Sequence, residues 1–193
     1  MKTAIVGNSG SGKTWLANAL AKATAVQAIH LDAIFWKPGG FDEKRPKVET
    51  TRLTEEAAKR PAWIVEGVFG DLLMPFLSNA HVLIWLDPEW EVCEARLHRR
   101  GSESKAHMER IQSDQGVAKL IAWASTYETR TDNMSRAGHS KIFKSFSGPK
   151  AILRSEDDAS ALLAASAKSN FVESFSTSAI ERNRSSTKLT DSI

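Results

Sequence analysis

The feature that most restricts the fold of this chain is its start. An apolar run, Thr3 to Val6, leads directly into Gly7-Asn8-Ser9-Gly10-Ser11-Gly12-Lys13-Thr14. The residues that follow carry an apolar helical face through Leu16, Ala17, Leu20 and Ala21. Strand, Gly-rich loop, Lys-Thr and helix in this order satisfy the Walker A pattern at every fixed position. Glycines at 7, 10 and 12 let the backbone wrap closely, successive N–H groups converge as an anion nest, and the helix start adds partial positive charge. Lys13 is expected to reach the β- and γ-phosphates of a nucleotide, and the Thr14 hydroxyl to ligate Mg2+. The bland alternative is a Gly/Ser turn that matches by accident; it leaves the ordered context unexplained.

Four further apolar segments rich in branched residues read as buried strands: Val26 to Leu31, Trp63 to Glu66, Val82 to Leu86 and Ala151 to Leu153. Helical spacings lie between them, as in Trp90, Cys93 and Leu97. Such alternation argues for an α/β fold with a parallel sheet. Two polar intervals interrupt it. Residues 36–60 hold a Pro38-Gly39-Gly40 turn and a charged helical stretch through Glu55, Glu56, Lys59 and Arg60. Residues 101–149 begin at Gly101-Ser102-Glu103-Ser104-Lys105 and are expected to carry a lid. The domain is expected to span 1–165, and residues 166–193, rich in Ser and Thr, read as a tail.

Composition narrows the function classes. The 193 residues carry 26 Lys+Arg against 23 Asp+Glu, a balance that by itself calls for neither nucleic acid nor membrane. A single cysteine, Cys93, excludes an intrachain disulfide, disfavours a thiolate zinc site and suits a reducing cytoplasm. The longest strongly apolar stretch, Val82 to Leu86, is far short of the roughly 20 residues of a membrane span, and the apolar start is too short for a signal-peptide core.

Phosphate chemistry also needs carboxylates, and three stand at or just past expected strand ends, where open parallel sheets bind their ligands. Glu66, followed by Gly67, is the first choice for the magnesium shell. Asp32 is the candidate for holding and deprotonating an acceptor hydroxyl. Asp87 precedes Pro88 and is expected to cap the helix beginning near Glu89. Arg96, Arg99 and Arg100 share one helical face, and Arg130 and Arg136 follow in the long insertion. Of these, Arg96, Arg100, Arg130 and Arg136 are the candidates for catalytic lid arginines that stabilise charge on a transferred phosphoryl group; a solvated helix face is the alternative. Phe35 and Trp36 could stack on a base but more often pack beneath an insertion. Arg45 and Arg52 could hold an acceptor phosphate or decorate a surface. His30, His81, His98, His107 and His139 show no metal-ligand spacing, and His30, inside an apolar strand, reads as a satisfied core residue.

Taken together, His30-Leu31-Asp32, Phe35-Trp36-Lys37-Pro38-Gly39-Gly40, Trp63-Ile64-Val65-Glu66-Gly67 and Leu86-Asp87-Pro88 with the arginine helix resemble small P-loop kinases of the adenylate and shikimate kinase type. Within these, residues 1–155 resemble the bacterial "DNA topology modulation protein" group. The resemblance implies a three-layer P-loop NTPase fold with a five-stranded parallel sheet in 2-3-1-4-5 order. It also implies an ATP site at Gly7 to Thr14, an acceptor region after Asp32 and a lid after Arg100. One departure stands out: the group's third segment usually ends in Asp-Gly-Asn-Tyr, and here it is Glu66-Gly67-Val68-Phe69.

The leading expectation is an Mg·ATP-dependent phosphotransferase acting on a nucleotide, nucleoside or other small acceptor. A second is an NTP-dependent DNA- or RNA-binding regulator, supported by 12 Lys+Arg against 6 Asp+Glu over residues 92–154 but by no nucleic-acid-binding motif. A third is an ATP-binding protein without kinase activity. The absence of an Asn-Lys-x-Asp segment favours ATP over GTP.

Overall fold

In the computed structural model, which describes residues 1–38, 43–104 and 110–166, five parallel strands form one sheet. The elements run β1 (Lys2–Gly7), α1 (Lys13–Thr24), β2 (Ala28–His30), α2 (Leu31–Phe35), α3 (Lys47–Ala58), β3 (Trp63–Gly67) and α4 (Gly70–Leu77). They continue as β4 (Val82–Leu86), α5 (Trp90–Ser104), α6 (Arg110–Ser125), a 3-10 turn (Thr126–Glu128), α7 (Arg136–Ser145), β5 (Lys150–Leu153) and α8 (Glu156–Ser166). The strand order is β2-β3-β1-β4-β5, the order that the resemblance implied. The Gly39-Gly40 turn, Lys105, His107 and the tail beyond Ser166 lie outside the described residues.

The sheet is covered on both faces, which is why its strands read as unbroken apolar runs. Alternation along β1 divides the core. Ala4 and Val6 join Val65, Leu83 and Trp85 against Leu73 and Phe76 of α4 and Ile142 of α7. Ile5 joins Ile64, Val82 and Ile84 against Leu16 and Leu20 of α1 and Ala159 of α8. The second strand is shorter than its apolar run suggested. Its extended pairing ends at His30, and Leu31 turns into α2, so Asp32 lies in the first turn of a short helix.

The interval 101–149, expected to carry a lid, contains α6 and α7. Its second half is structural, because α7 packs on the core and carries a buried polar chain. The Trp85 Nε1–H donates to the Tyr127 hydroxyl at 3.2 Å, which donates to His139 Nδ1 at 2.7 Å, and His139 Nε2–H donates to the Val68 carbonyl at 3.0 Å. Indole only donates and a carbonyl only accepts, so Nε2 carries a proton, and the order in which every group of the chain is satisfied has Tyr127 donating to a neutral imidazole. Burial pushes the His139 pKa down to about 4. Beside this chain, the Gly70 N–H donates to the Asn133 carbonyl at 3.2 Å and Asn133 Nδ2 to Asp71 at 2.6 Å. The segment before α7 thus fastens the β3–α4 connection directly after Glu66-Gly67.

Replacing Tyr127 by Phe strips partners from Trp85 and His139 and is expected to cost about 1–3 kcal/mol of stability. The unfolded chain takes up a proton near pH 6.5 that the folded His139 refuses until about 4. Stability therefore falls with acid across that interval, by roughly 3 kcal/mol in all. Chemical denaturation between pH 7.5 and 4.5 checks both expectations, and a His139→Gln variant with the same acid slope as wild type would refute the second.

Candidate active site at the carboxyl edge of the sheet

The loop between β1 and α1 is held from below by several elements. The Asn8 side-chain amide donates to the Ala124 carbonyl of α6 at 3.0 Å, while its Oδ1 accepts from the Ser9 N–H at 2.8 Å. Its carbonyl accepts from the Ser11 N–H at 3.2 Å and from Lys13 Nζ at 2.7 Å. Two glycines are enforced by their surroundings. Gly10 sits at φ +79°, and a Cβ there would come within 2.4 Å of the Cys93 carbonyl oxygen; a Cβ at Gly7 would come within 2.3 Å of the Leu86 carbonyl oxygen. Within this cradle the Ser11 hydroxyl is buried and has no hydrogen-bond partner. A donor so placed fits a phosphate oxygen.

Glu66 is the centre of the site. Strand register places His30 opposite Glu66 and Val6 opposite Gly67, so the ends of β2 and β3 lie beside the phosphate loop. The Thr14 hydroxyl donates to Glu66 Oε1 at 3.0 Å, and His30 Nδ1–H donates to the same oxygen at 2.8 Å. Glu66 is 3% exposed and His30 35%. Burial alone would favour the protonated acid, but the His30 hydrogen bond, the Lys13 charge and the Thr14 hydroxyl outweigh it and hold the carboxyl below its usual range. The Glu66 hydrogen bond lifts the His30 pKa above its ordinary value against the opposing effect of burial, and the charges of Glu66 and Asp32 act in the same direction. The pair is ionised on both sides between these two values. His30's share of its stability is lost as pH rises through the raised pKa, and Glu66's share as pH falls through the lowered one. Thr14 and Glu66 form a hard-oxygen donor set of the kind Mg2+ takes.

His30 is therefore not the satisfied core residue expected from its apolar strand. It stands at the strand's open end, and its ring is committed to Glu66. Asp87 also departs from expectation. Its side chain, 4% exposed, accepts from Arg136 Nε at 3.0 Å and Nη2 at 2.8 Å, with Arg154 at 3.8 Å, so the carboxylate is an arginine clamp rather than the expected cap. Arg136 is the first residue of α7, whose start is capped by Ser135 accepting from the Gly138 N–H, and it also meets Glu128 at 3.3 Å.

The other candidates are dispersed. Arg96 lies under the phosphate loop, donating to the Ser11 and Gly10 carbonyls at 2.9 and 3.4 Å and pairing with Glu156 at 2.8 Å. Arg130 stacks on Trp123 at 4.0 Å, pairs with Asp132 and donates to the Met134 carbonyl. Arg99 is exposed on α5, and the Arg100 side chain lies outside the described residues. Asp32 is exposed at the start of α2. Phe35 stacks on Phe69 at 4.4 Å and packs against the core, with Trp36 edge-on to it at 4.8 Å, so this pair supports the insertion. Among the described residues no cluster of His, Cys, Asp and Glu is suited to a metal on its own, and no helix is long and apolar enough to cross a membrane.

A gluconokinase from Sinorhizobium meliloti 1021 shares 19% identity at a TM-score of 0.48, covering 86% of this chain and 93% of that one. A shikimate kinase from Acinetobacter baumannii, in complex with shikimate, shares 19% at 0.49, covering 84% and 88%. A deoxyadenosine kinase from M. mycoides shares 11% at 0.47, covering 86% and 95%. These are likenesses of chain course, and the activities named are those proteins' own. No protein-family model matches the sequence, and no curated protein does. What the structure itself shows is a five-stranded parallel sheet in the order β2-β3-β1-β4-β5 with helices on both faces.

The hydrogen bond between Glu66 and His30 yields a direct test. An NMR titration of the His30 ring is expected to show a midpoint above the ordinary value of about 6.5, and Glu66→Gln should bring it to or below that value, because only the lowering effect of burial then remains strong. An unchanged midpoint in the variant would show that the pair does not form.

Proposed function

We propose that the protein is an Mg·ATP-dependent phosphotransferase that moves the γ-phosphoryl group to a small acceptor. The observation that carries this reading is the 3.0 Å contact between the Thr14 hydroxyl and Glu66, a buried carboxylate at the edge of the phosphate loop. A loop that only bound phosphate would not need a buried carboxylate beside its hydroxyl. Resemblance to the topology-modulation group belongs to the same reading.

The loop's N–H groups and the Ser11 hydroxyl would hold phosphate oxygens, and Lys13 would add its charge at the β- and γ-phosphates. Thr14, with Glu66 directly or through water, would hold Mg2+, which when bound neutralises charge on those phosphates. Asp32 would orient the acceptor hydroxyl and take its proton. Arg136, oriented by Asp87, and Arg130, oriented by Asp132 and Trp123, are the candidates for meeting charge on the equatorial oxygens, and each would have to turn from or share its present partners to do so. Arg96 is better read as a support of the loop, because the groups it meets there are the carbonyl oxygens of Gly10 and Ser11, which it holds in place.

ADP formation, assayed against a panel of nucleosides, sugars, hydroxy acids and nucleoside monophosphates, tests the reading. Lys13→Ala is expected to lower kcat/KM by about 100-fold or more. Calorimetric titration of Lys13→Ala with Mg·ATP should show weakened binding; unchanged affinity would remove the loop from the mechanism. Arg136→Ala is expected to lower turnover about tenfold or more while ATP affinity changes little. Equal losses in both would make Arg136 a ground-state binding contact.

A further inference from the structure

Resting on the phosphotransferase reading, we propose that Asn8 is a positioning residue that ties the phosphate loop to the end of α6 and through it sets the place of Arg130. Asn8 is the second residue of the loop and is 4% exposed. Its amide has one orientation that satisfies both neighbours. Nδ2 donates to the Ala124 carbonyl at 3.0 Å, and Oδ1 accepts from the Ser9 N–H at 2.8 Å. The flipped amide would set oxygen against carbonyl and N–H against N–H. One end of the side chain therefore holds the loop's own turn, and the other holds a helix 116 residues away in sequence. Ala124 is fully buried in the last turn of α6, where carbonyls run out of intrahelical donors. A serine hydroxyl at position 8 could still accept from Ser9 but is too short to reach Ala124.

The far end of this link is Arg130. Trp123 directly precedes Ala124, and the Arg130 guanidinium stacks on its ring at 4.0 Å. The turn between them is tied at both ends. The Thr126 hydroxyl donates to the Trp123 carbonyl at 2.7 Å, and the Arg130 N–H donates to the Thr126 carbonyl at 3.0 Å. Trp123, Ala124 and Arg130 thus belong to one corner. Two of the guanidinium nitrogens are used there, Nη1 on Asp132 at 3.3 Å and Nη2 on the Met134 carbonyl at 3.2 Å. The third, Nε, is buried and has no hydrogen-bond partner. A buried donor left open costs stability, so its surroundings must hold it in place, and a donor so kept suits a ligand's oxygen. Asn8 joins the corner that carries this open donor to the loop that would carry the phosphates. Cutting the link leaves the phosphate nest standing and frees the corner. The loss should therefore fall on the step in which Arg130 meets transferred charge, rather than on nucleotide binding.

The test uses the full chain. NMR of the Arg130 Nε–H signal, assigned by its loss in Arg130→Ala, follows the corner while the non-hydrolysable analogue Mg·AMP-PNP is added to saturation. In the wild type the signal is expected to shift. Two variants cut the link: Asn8→Ser, and Asn8→Asp, which keeps the side chain's shape and its contact with Ser9 but cannot donate to Ala124. Both should lose most of the shift at saturation, and Asn8→Ser should bind the analogue within about threefold of wild type in calorimetry. With an acceptor from the panel, turnover should fall about tenfold in Asn8→Ser. The Asn8→Ser/Arg130→Ala double variant should be no slower than Arg130→Ala alone, because the two residues act as one unit. A wild-type signal that ignores the nucleotide, or a shift retained in either Asn8 variant, would overturn the proposal. So would losses that multiply in the double variant, or an affinity that falls as far as turnover in Asn8→Ser. Absence of transfer to every acceptor would overturn the phosphotransferase reading, while the NMR comparison still decides whether Asn8 links the loop to Arg130.

Discussion

A carboxylate buried at the end of a central strand is costly unless its oxygens are met by donors, and in this protein that requirement ties three elements together. Glu66 belongs to β3, Thr14 to the first turn of α1 and His30 to the end of β2, and both partners meet the same Glu66 oxygen. The register between β2 and β3 cannot slip without moving His30 to the other face of the sheet. The phosphate loop cannot shift without withdrawing Thr14. The interaction that makes the site plausible as a place for chemistry is therefore also the one that fixes the loop against the sheet. The shorter acid of the resembling group would sit one methylene further from both donors, and here the imidazole of His30 completes the longer side chain's surroundings.

Much of this architecture was legible because both faces of the sheet are covered. A strand buried on both faces must be apolar throughout, and the runs around Ile5, Val65 and Ile84 could be nothing else in a chain of this composition. The phosphate loop was legible for a different reason: its glycines answer to contacts with Leu86 and Cys93 that only a close-packed strand–helix corner produces. Strand order was not readable from periodicity and came only through resemblance. The boundary at His30 was hidden because Leu31, apolar and fully buried, continues the strand's pattern while already in α2.

The site was legible in its carboxylates and illegible in their partners. Asp32, Glu66 and Asp87 could be placed at strand ends from sequence alone. That Asp87 clamps Arg136 depends on a contact across 49 residues, which no local spacing encodes. His139 stood in the sequence only as one of five histidines without metal-ligand spacing, whereas its burial against Val68 and Tyr127 makes it a strut of the β3–α4 connection. The sequence signal that could have pointed to His30 is its position two residues before Asp32, at the open end of an expected strand, where a side chain faces the site as readily as the core.

These partners give the site an electrostatic polarity. On the β2–β3 side lie Asp32 and Glu66, with His30 bound to one of them, Arg45 committed to Ile34 and Glu49, and Arg52 to Glu56. On the β4–β5 side lie Arg136 and Arg154 around Asp87, and Arg96 beneath the loop. In the proposed reaction the acceptor gives up a proton on the first side while negative charge spreads over phosphoryl oxygens toward the second. A field running from carboxylates to guanidinium groups favours both displacements at once and needs no reorientation when they occur.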